Sequence, residues 1–445
     1  MNSTRQPCWS ASGIRSPFIQ HTPINNNKMK AKMNKYFVLT TLVAISSSLQ
    51  ANDFISDSSA KLTLRNFYYD RDYRDGGGQS QAQEWAQGFI FNYASGYTEG
   101  TIGLGLNAVG MLGLKLDSGP GRTGTGILAY NASNREVADD YSKFGLAAKA
   151  RYSKTEVQLG TLQPLMPVLL ANTMRLFPPL LRGGYLTSKE IDGLTLHVAH
   201  LDRIKYRDST DYEPMAIANP NRRFKAGATS NDLTIAGADY NWSKTLTTRY
   251  YHATLNDLYE QDYIDLVHFL DLGSSRLKTD LRYFDSRANG NNKAGAVDNQ
   301  TLSSMFTWLV GGHSLGVGYM QLTGDTALPY VSGTSVNVNT EGALVSEFVN
   351  PKERVMQVRY DYDFAALGIP GLRGMWRYIK GDHIELPGGG IGSKERERGI
   401  ELSYVIQSGP FKDVAFRIRQ ADYNSDFTRN VDELRVNVDY SVQLW

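Results

Sequence analysis

Arg417 and Arg419 stand two residues apart in a segment whose alternate positions are Val414, Phe416 and Ile418. In an extended strand, residues i and i+2 share a face, so one side of this segment is apolar and the other presents two guanidinium groups. Arg373 and Arg377 relate in the same way to Leu372, Trp376 and Tyr378, and Arg435 to Val436, Val438 and Tyr440. Lys61 and Arg65 share a face of the first such segment, opposite Leu62 and Leu64. A guanidinium stays charged and holds a carboxylate by two parallel bonds, so a row of them offers an anion several weak, equivalent stations. The blander reading of the same pattern is a wet face whose cations pair with Asp361, Asp363 or Glu401.

Other chemistry is poorly supported. The stretch Gly119-Pro120-Gly121-Arg122-Thr123-Gly124 satisfies G-x-G-x-x-G, but Pro120 sits inside it and nothing after it has helical period, so it reads as an outer loop. His197 and His200 lie three apart on an apparent strand, which sends them to opposite faces and spoils them as joint metal ligands. Seven scattered histidines and one cysteine, Cys8, give no metal cluster, and no cofactor is expected. A serine hydrolase carried on a barrel would need Ser, His and Asp together; His200, Asp208 and Ser332 are gathered by no local motif. No enzymatic activity is expected.

The elements that carry the basic rows are strands. From Lys61 onward, apolar or aromatic residues alternate with small or polar ones over segments of about 8 to 12 positions, separated by Gly, Asn, Asp and Ser clusters. Trp85, Phe89, Phe91 and Tyr93 share a face; Phe144, Leu146, Ala148 and Tyr152 oppose Lys143, Lys149 and Arg151; Leu277, Leu281 and Tyr283 oppose Arg276, Lys278, Asp280 and Arg282. The chain of 445 residues is 41% hydrophobic, with mean hydropathy −0.37 and no apolar run of about 20 residues, which excludes a bundle of membrane helices but leaves membrane strands open. Alternation alone also fits a soluble sheet with one wet face. Three features favour a transmembrane barrel: an export signal, segments of membrane-crossing length, and aromatics near strand ends.

Lys28, Lys30, Lys32 and Lys35 precede an apolar stretch from Tyr36 to Ile45 and a small-residue site ending at Ala51, the pattern of a cleaved secretory signal at 28–51. Residues 1–27 read as an upstream extension without function, and 52–445 as the barrel. Removal of the first 51 residues takes six basic residues from the 47 and no acidic one from the 45, leaving a net charge of −4. Bulk charge therefore argues against nucleic acid as a partner. N-terminal sequencing of the exported protein is expected to begin near Asn52; residues 1–27 on that protein would overturn this reading.

The final segment alternates Leu434, Val436, Val438, Tyr440, Val442 and Leu444 with polar residues and ends on Trp445, which falls one position out of phase with the apolar row. Polar stretches near 118–140, 202–230, 286–300, 322–352 and 380–397 read as long outer loops of one large barrel. The segment 162–184 differs, being apolar yet holding Pro164, Pro167, Pro178 and Pro179. It forbids a regular helix or central strand and reads as a loop folded into the barrel, with Arg175 and Arg182 near its tip.

The runs LTLRNFYYDRD (62–72), EWAQGFIFNYASGYTEGTIGLGLNAVGMLGLKLDSG (84–119), GTLQP (160–164), ANTMRLFPP (171–179), SKEIDGLTL (188–196), TGDTALPY (323–330), RYDYDFAALGIPGLRGMWRYIKG (359–381) and YVIQSGPFKDVAFRIRQA (404–421) resemble the OprD family of outer-membrane porins. The resemblance spans essentially the whole exported chain. It implies an all-β, transmembrane antiparallel barrel of about 18 strands with an inward-folded constriction loop. It further implies a substrate-selective channel bringing small carboxylate-bearing nutrients (amino acids, aromatic or other organic acids) into the periplasm. In the family, basic residues line one wall opposite acidic or carbonyl groups. Arg175, Arg417, Arg419 and Arg435 match the basic positions and Asp325 the acidic side. Arg377, Arg65 and Lys61 extend the stripe by strand parity, whereas Arg396 and Arg398 fall on the apolar parity of Ile400 and Leu402. The partners implied are carboxylate solutes, outer-membrane lipid and lipopolysaccharide, and the barrel assembly machinery, with the protein a monomer or loose homotrimer. A general diffusion pore is the alternative within the channel class.

Overall fold

In the computed structural model, residues 52–131, 134, 136–387 and 391–445 are described. The expected signal at 28–51 and the extension at 1–27 lie outside them. After a helical turn at Asn52–Ser56, eighteen strands follow one another as antiparallel neighbours. They are β1 (Ser59–Tyr73), β2 (Gln81–Ala94), β3 (Gly103–Asp117), β4 (Asp140–Tyr152), β5 (Thr155–Leu162), β6 (Leu180–Ser188), β7 (Leu194–Lys205), β8 (Leu233–Asn241) and β9 (Leu246–Leu255). The second half comprises β10 (Tyr259–Leu272), β11 (Ser275–Ala288), β12 (Asp298–Val310), β13 (His313–Thr323), β14 (Arg354–Asp363), β15 (Leu372–Glu385), β16 (Ile391–Val405), β17 (Ala415–Ser425) and β18 (Val431–Gln443). β1 pairs with β18 from Lys61↔Gln443 to Tyr73↔Val431, which closes the sheet and leaves no barrel edge.

Alternation sorts each strand into two faces. Leu104, Leu146, Ile264, Leu302, Val317 and Ile400 are 46–55% exposed and point away from the barrel, forming the apolar band that a membrane strand must show to lipid. Trp445 lies past the end of β18, free of its parity, and its indole Nε1 donates to Ser58 Oγ at 2.9 Å. One rim carries two-residue turns at 153–154, 273–274 and 311–312; the other carries 118–139, 163–179, 206–232 and 324–353, which marks it as the outer side.

All four long segments turn inward, not only the proline-rich one. Ile127 and Leu128, Leu176 and Phe177, Met215 and Ile217, and Leu328, Val331, Phe348 and Val349 are buried inside the barrel. The stretches at 202–230 and 322–352 escape detection as inserted because their apolar residues are spaced among polar ones. The proline-rich insert is also shorter than 162–184: Pro178 and Pro179 end it, and Leu180 already belongs to β6. Arg182 is therefore a strand residue, its Nε bonded to Asp202 Oδ1 at 3.0 Å, and is not at the loop tip. Strands also extend into 286–300 and 380–397, where the barrel wall continues beyond the apolar band with polar residues on both faces.

Buried glutamates hold the inserts to the wall. Glu84 on β2 accepts from Gly124 N at 2.8 Å and Thr125 Oγ1 at 2.5 Å; Glu397 on β16 accepts the N–H groups of Leu344 and Val345 at 2.8 and 2.9 Å. The insert 163–179 needs bare wall as well. A β-carbon on Gly88 would stand 2.9 Å from Leu176 Cδ1 and 3.0 Å from Phe177 Cε1. Gly88→Val is accordingly expected to lift this insert, raising single-channel conductance and lowering stability by about 1–3 kcal/mol, the usual cost of overpacking. Unchanged conductance in the folded variant would show that the insert does not narrow the path.

Candidate functional site: a two-chambered channel

The inserts divide the lumen. Between 163–179 and 324–353 lies a cavity of about 200 Å³, lined by Arg71, Arg175, Arg207, Arg435 and residues 341–347. Towards the short-turn rim opens a chamber of about 620 Å³, lined by Lys278, Arg282, Arg359, Arg373 and Arg417 together with Asp280, Asp361, Asp363, Glu341 and Glu401. Val338 and Glu341 line both, so the chambers meet at the tip of the 324–353 insert.

The strand register brings the basic rows together. Arg417 pairs with Asn437, Arg419 with Arg435, and Arg435 with Tyr69 across the closing strands. Their environments differ sharply. Arg435 is fully buried; it donates to Glu433 Oε1 at 2.5 Å, Met174 O at 3.3 Å and Leu344 O at 2.7 Å, tying both inserts to β18. Arg65 lies 2.6 Å from Asp439 and donates to the carbonyls of Arg175 and Leu176 at 3.1 and 3.4 Å. Arg377, 2% exposed, donates to the carbonyls of Glu341 and Gly342 at 3.2 and 2.7 Å. These three hold the inserts in place.

Two others line the path, Arg417 openly and Arg175 from within the insert. The Arg417 side chain is 52% exposed, with Glu401 3.4 Å away. Arg175 lines the narrower cavity, donating to Thr125 O at 3.0 Å and lying 5.1 Å from the Tyr69 ring. Burial, then the neighbouring Arg435, holds the Arg175 guanidinium well below its ordinary value, which is the electrostatic signature of a cation short of counter-charge. Arg419 is 7% exposed and donates to Asn437 Oδ1 at 3.1 Å, its Nε left without a partner. Lys61 sits exposed beside Gln443 in a third cavity of about 430 Å³ under the same insert.

Residues 52–444 match the family description "outer membrane porin, OprD family". The chain belongs to the OprD family of outer-membrane porins. It is 36% identical over 422 residues to the porin-like protein GalP of Pseudomonas putida, covering 94% of this chain and all of that one. The crystal structure of Pseudomonas aeruginosa OccK9 (OpdG) covers 88% of this chain and 100% of its own at 42% identity, with a TM-score of 0.85. That of Pseudomonas aeruginosa OpdK with vanillate covers the same shares at 35% identity, with a TM-score of 0.83.

Within the porin, Asp325 does not stand opposite the basic stripe. Its side chain is 83% exposed at the start of the 324–353 insert and pairs with Lys352 at 2.8 Å, because the backbone turns inward only after it. The acid where the two chambers meet is Glu341, which strand parity could not identify because it lies in a loop. Burial pushes its carboxyl up, Arg282 opposing and Asp280 reinforcing the rise. Arg282 and Arg359, whose outward neighbours are apolar, were legible as inward from the same alternation that marks Arg417. Both are held by acids two residues away on their own strands, Arg282 Nε by Asp280 at 2.8 Å and Arg359 Nε by Asp361 at 2.7 Å.

Proposed function

We propose that this porin is selective for small solutes bearing a carboxylate, and that it passes them by diffusion without acting on them chemically. The observation carrying this reading is the continuity of cationic groups from the neck to the inner chamber. Arg175 stands above the junction, Arg419 lies in the wall beside it, and the half-exposed Arg417 faces the chamber below. An anion can exchange one guanidinium for the next without being released into neutral surroundings. The small neck argues against a general diffusion pore, and a solved relative holding vanillate, an aromatic carboxylate, agrees in ligand class.

Glu341, at the junction of the two chambers, sets a carboxylate beside these cations, which would disfavour solutes carrying two adjacent anionic groups. The test is uptake of labelled monocarboxylates, dicarboxylates and matching neutral amides into liposomes containing the purified protein. Monocarboxylates are expected to enter fastest, and Glu341→Gln is expected to narrow the gap to dicarboxylates. Equal uptake of a carboxylate and its amide would overturn the proposal.

A further inference from the structure

The lipid-facing side of β14, β15 and β16 carries cations that the channel does not use. Lys380, Arg396 and Arg398 are exposed, whereas the intervening Glu395 and Glu397 are buried on the inner face at 2% and 1% exposure. Lys380 stands directly opposite Arg396, and Arg398 opposite Tyr378. Arg396 and Arg398 are two positions apart on one face, hence about 7 Å. Arg354, on the same outer face of β14, extends the group.

Like charges set directly opposite in a sheet repel, and basic groups next to hydrocarbon are costly. Acids stand close by, Asp422 directly opposite Arg398 and Asp382 beside Lys380, but they leave the two guanidinium groups unbonded. Among the described residues, neither the Arg396 nor the Arg398 side chain has a hydrogen-bond or ion-pair partner. The nearby acids are committed: Asp382 bonds His383 and lies 3.9 Å from Lys380, while Asp422 bonds Arg74 at 3.0 Å and Asn424 Nδ2 at 2.8 Å.

Position supplies the second argument. Ile400, 49% exposed, and Trp376, 39% exposed, belong to the apolar band, and the cations begin immediately beyond it. They lie towards the long-loop rim, where the strands leave the outer leaflet and lipid headgroups begin. A solute in the lumen cannot reach them, and bulk ions would not account for a cluster placed at this depth.

We propose that Lys380, Arg396 and Arg398 form a docking surface for the phosphates of lipopolysaccharide in the outer leaflet. Charge-assisted bonds from two guanidinium groups would hold one phosphate, Lys380 adding a point charge. The acyl chains of the same molecule would cover Trp376 and Ile400 below.

The test is native mass spectrometry of the folded protein in detergent with bisphosphorylated lipid A, with dephosphorylated lipid A, and with inorganic phosphate as competitor. Wild type is expected to retain the bisphosphorylated lipid about tenfold better than the dephosphorylated one, in line with the strength of charge-assisted bonds. Lys380→Gln/Arg396→Gln/Arg398→Gln should lose that preference while conductance and heat-modifiable migration stay unchanged. Arg398→Gln alone reads the same quantity should the triple variant not fold. Equal retention with and without phosphate, or a preference surviving in the variant, would overturn the proposal, as would displacement by inorganic phosphate, which would mark a free-anion site.

Discussion

Replacing Arg435 by methionine is expected to widen the channel and remove most of its discrimination among solutes. One buried side chain bonds Glu433 on its own strand, Met174 O in the 163–179 insert and Leu344 O in the 324–353 insert. These two inserts form the walls of the neck, so their shared tie sets its width. Methionine keeps much of the length and fills the space, which limits any cavity, but it can donate to none of the three acceptors. Glu433 would keep Arg71, 2.8 Å away through Nε, and Tyr69 Oη at 2.6 Å, so its charge is not abandoned. Removing one member of a buried ionic group typically costs about 3–5 kcal/mol; the retained partners place this variant at the lower end. Conductance should rise about twofold or more as the inserts separate, with sieving by size weakened, in keeping with inserts that gate access. Arg435→Lys should fall between, since an ammonium is a point charge that cannot span three acceptors. Single-channel recording alongside thermal melting checks both effects. A folded Arg435→Met channel with wild-type conductance would mean that Arg65 on the 163–179 insert, and Arg377 and Glu397 on the 324–353 insert, hold them without it.

The barrel was legible because a closed sheet between water and lipid imposes one rule on every strand. Phe416 and Ile418 face lipid, so Arg417 and Arg419 must face the lumen, and the structure places them there. The same parity set Arg396 and Arg398 on the outer face. Parity gives direction, however, and not partners. It could not separate Arg435 and Arg377, which are engaged by insert carbonyls, from Arg417, because those carbonyls come from segments with no periodicity. Asp325, matched to the acidic side by motif rather than by parity, stands away from the stripe for a related reason: a loop residue's direction depends on where the chain turns. The proline-rich insert was visible through its composition, whereas the 324–353 insert hides Leu328, Val331, Phe348 and Val349 among residues that resemble a solvated loop. Glycine carried a signal that sequence alone could not decode, since Gly88 reads as strand filler until Leu176 and Phe177 are seen against it.

Replacing both Arg417 and Arg419 by alanine is expected to lower low-concentration flux of an anionic substrate at least about tenfold, given about 1–3 kcal/mol for each lost charged contact. The two residues are unequal. Arg417, with its side chain 52% exposed and Glu401 at 3.4 Å, can turn towards a passing carboxylate; Arg419, 7% exposed beside Arg435, contributes mainly field and one unpaired Nε. Arg417→Ala alone should therefore account for most of the loss. Neutral solutes of the same size should pass as well or better, since truncation opens the chamber. Cation selectivity should rise, because Glu401, Asp361 and Asp363 keep their charges there while two cations are gone. High salt should shrink these differences as screening shortens the reach of each charge. Lysine at both positions keeps the charge but loses the two-bond geometry, so anion conductance should persist while discrimination between carboxylates blunts. Flux of a carboxylate against its neutral amide, through wild type and the double alanine variant, decides the matter. An equal change for both solutes would assign these arginines to shaping the barrel, and the anion path would then have to run through Arg175 and the remaining chamber cations alone.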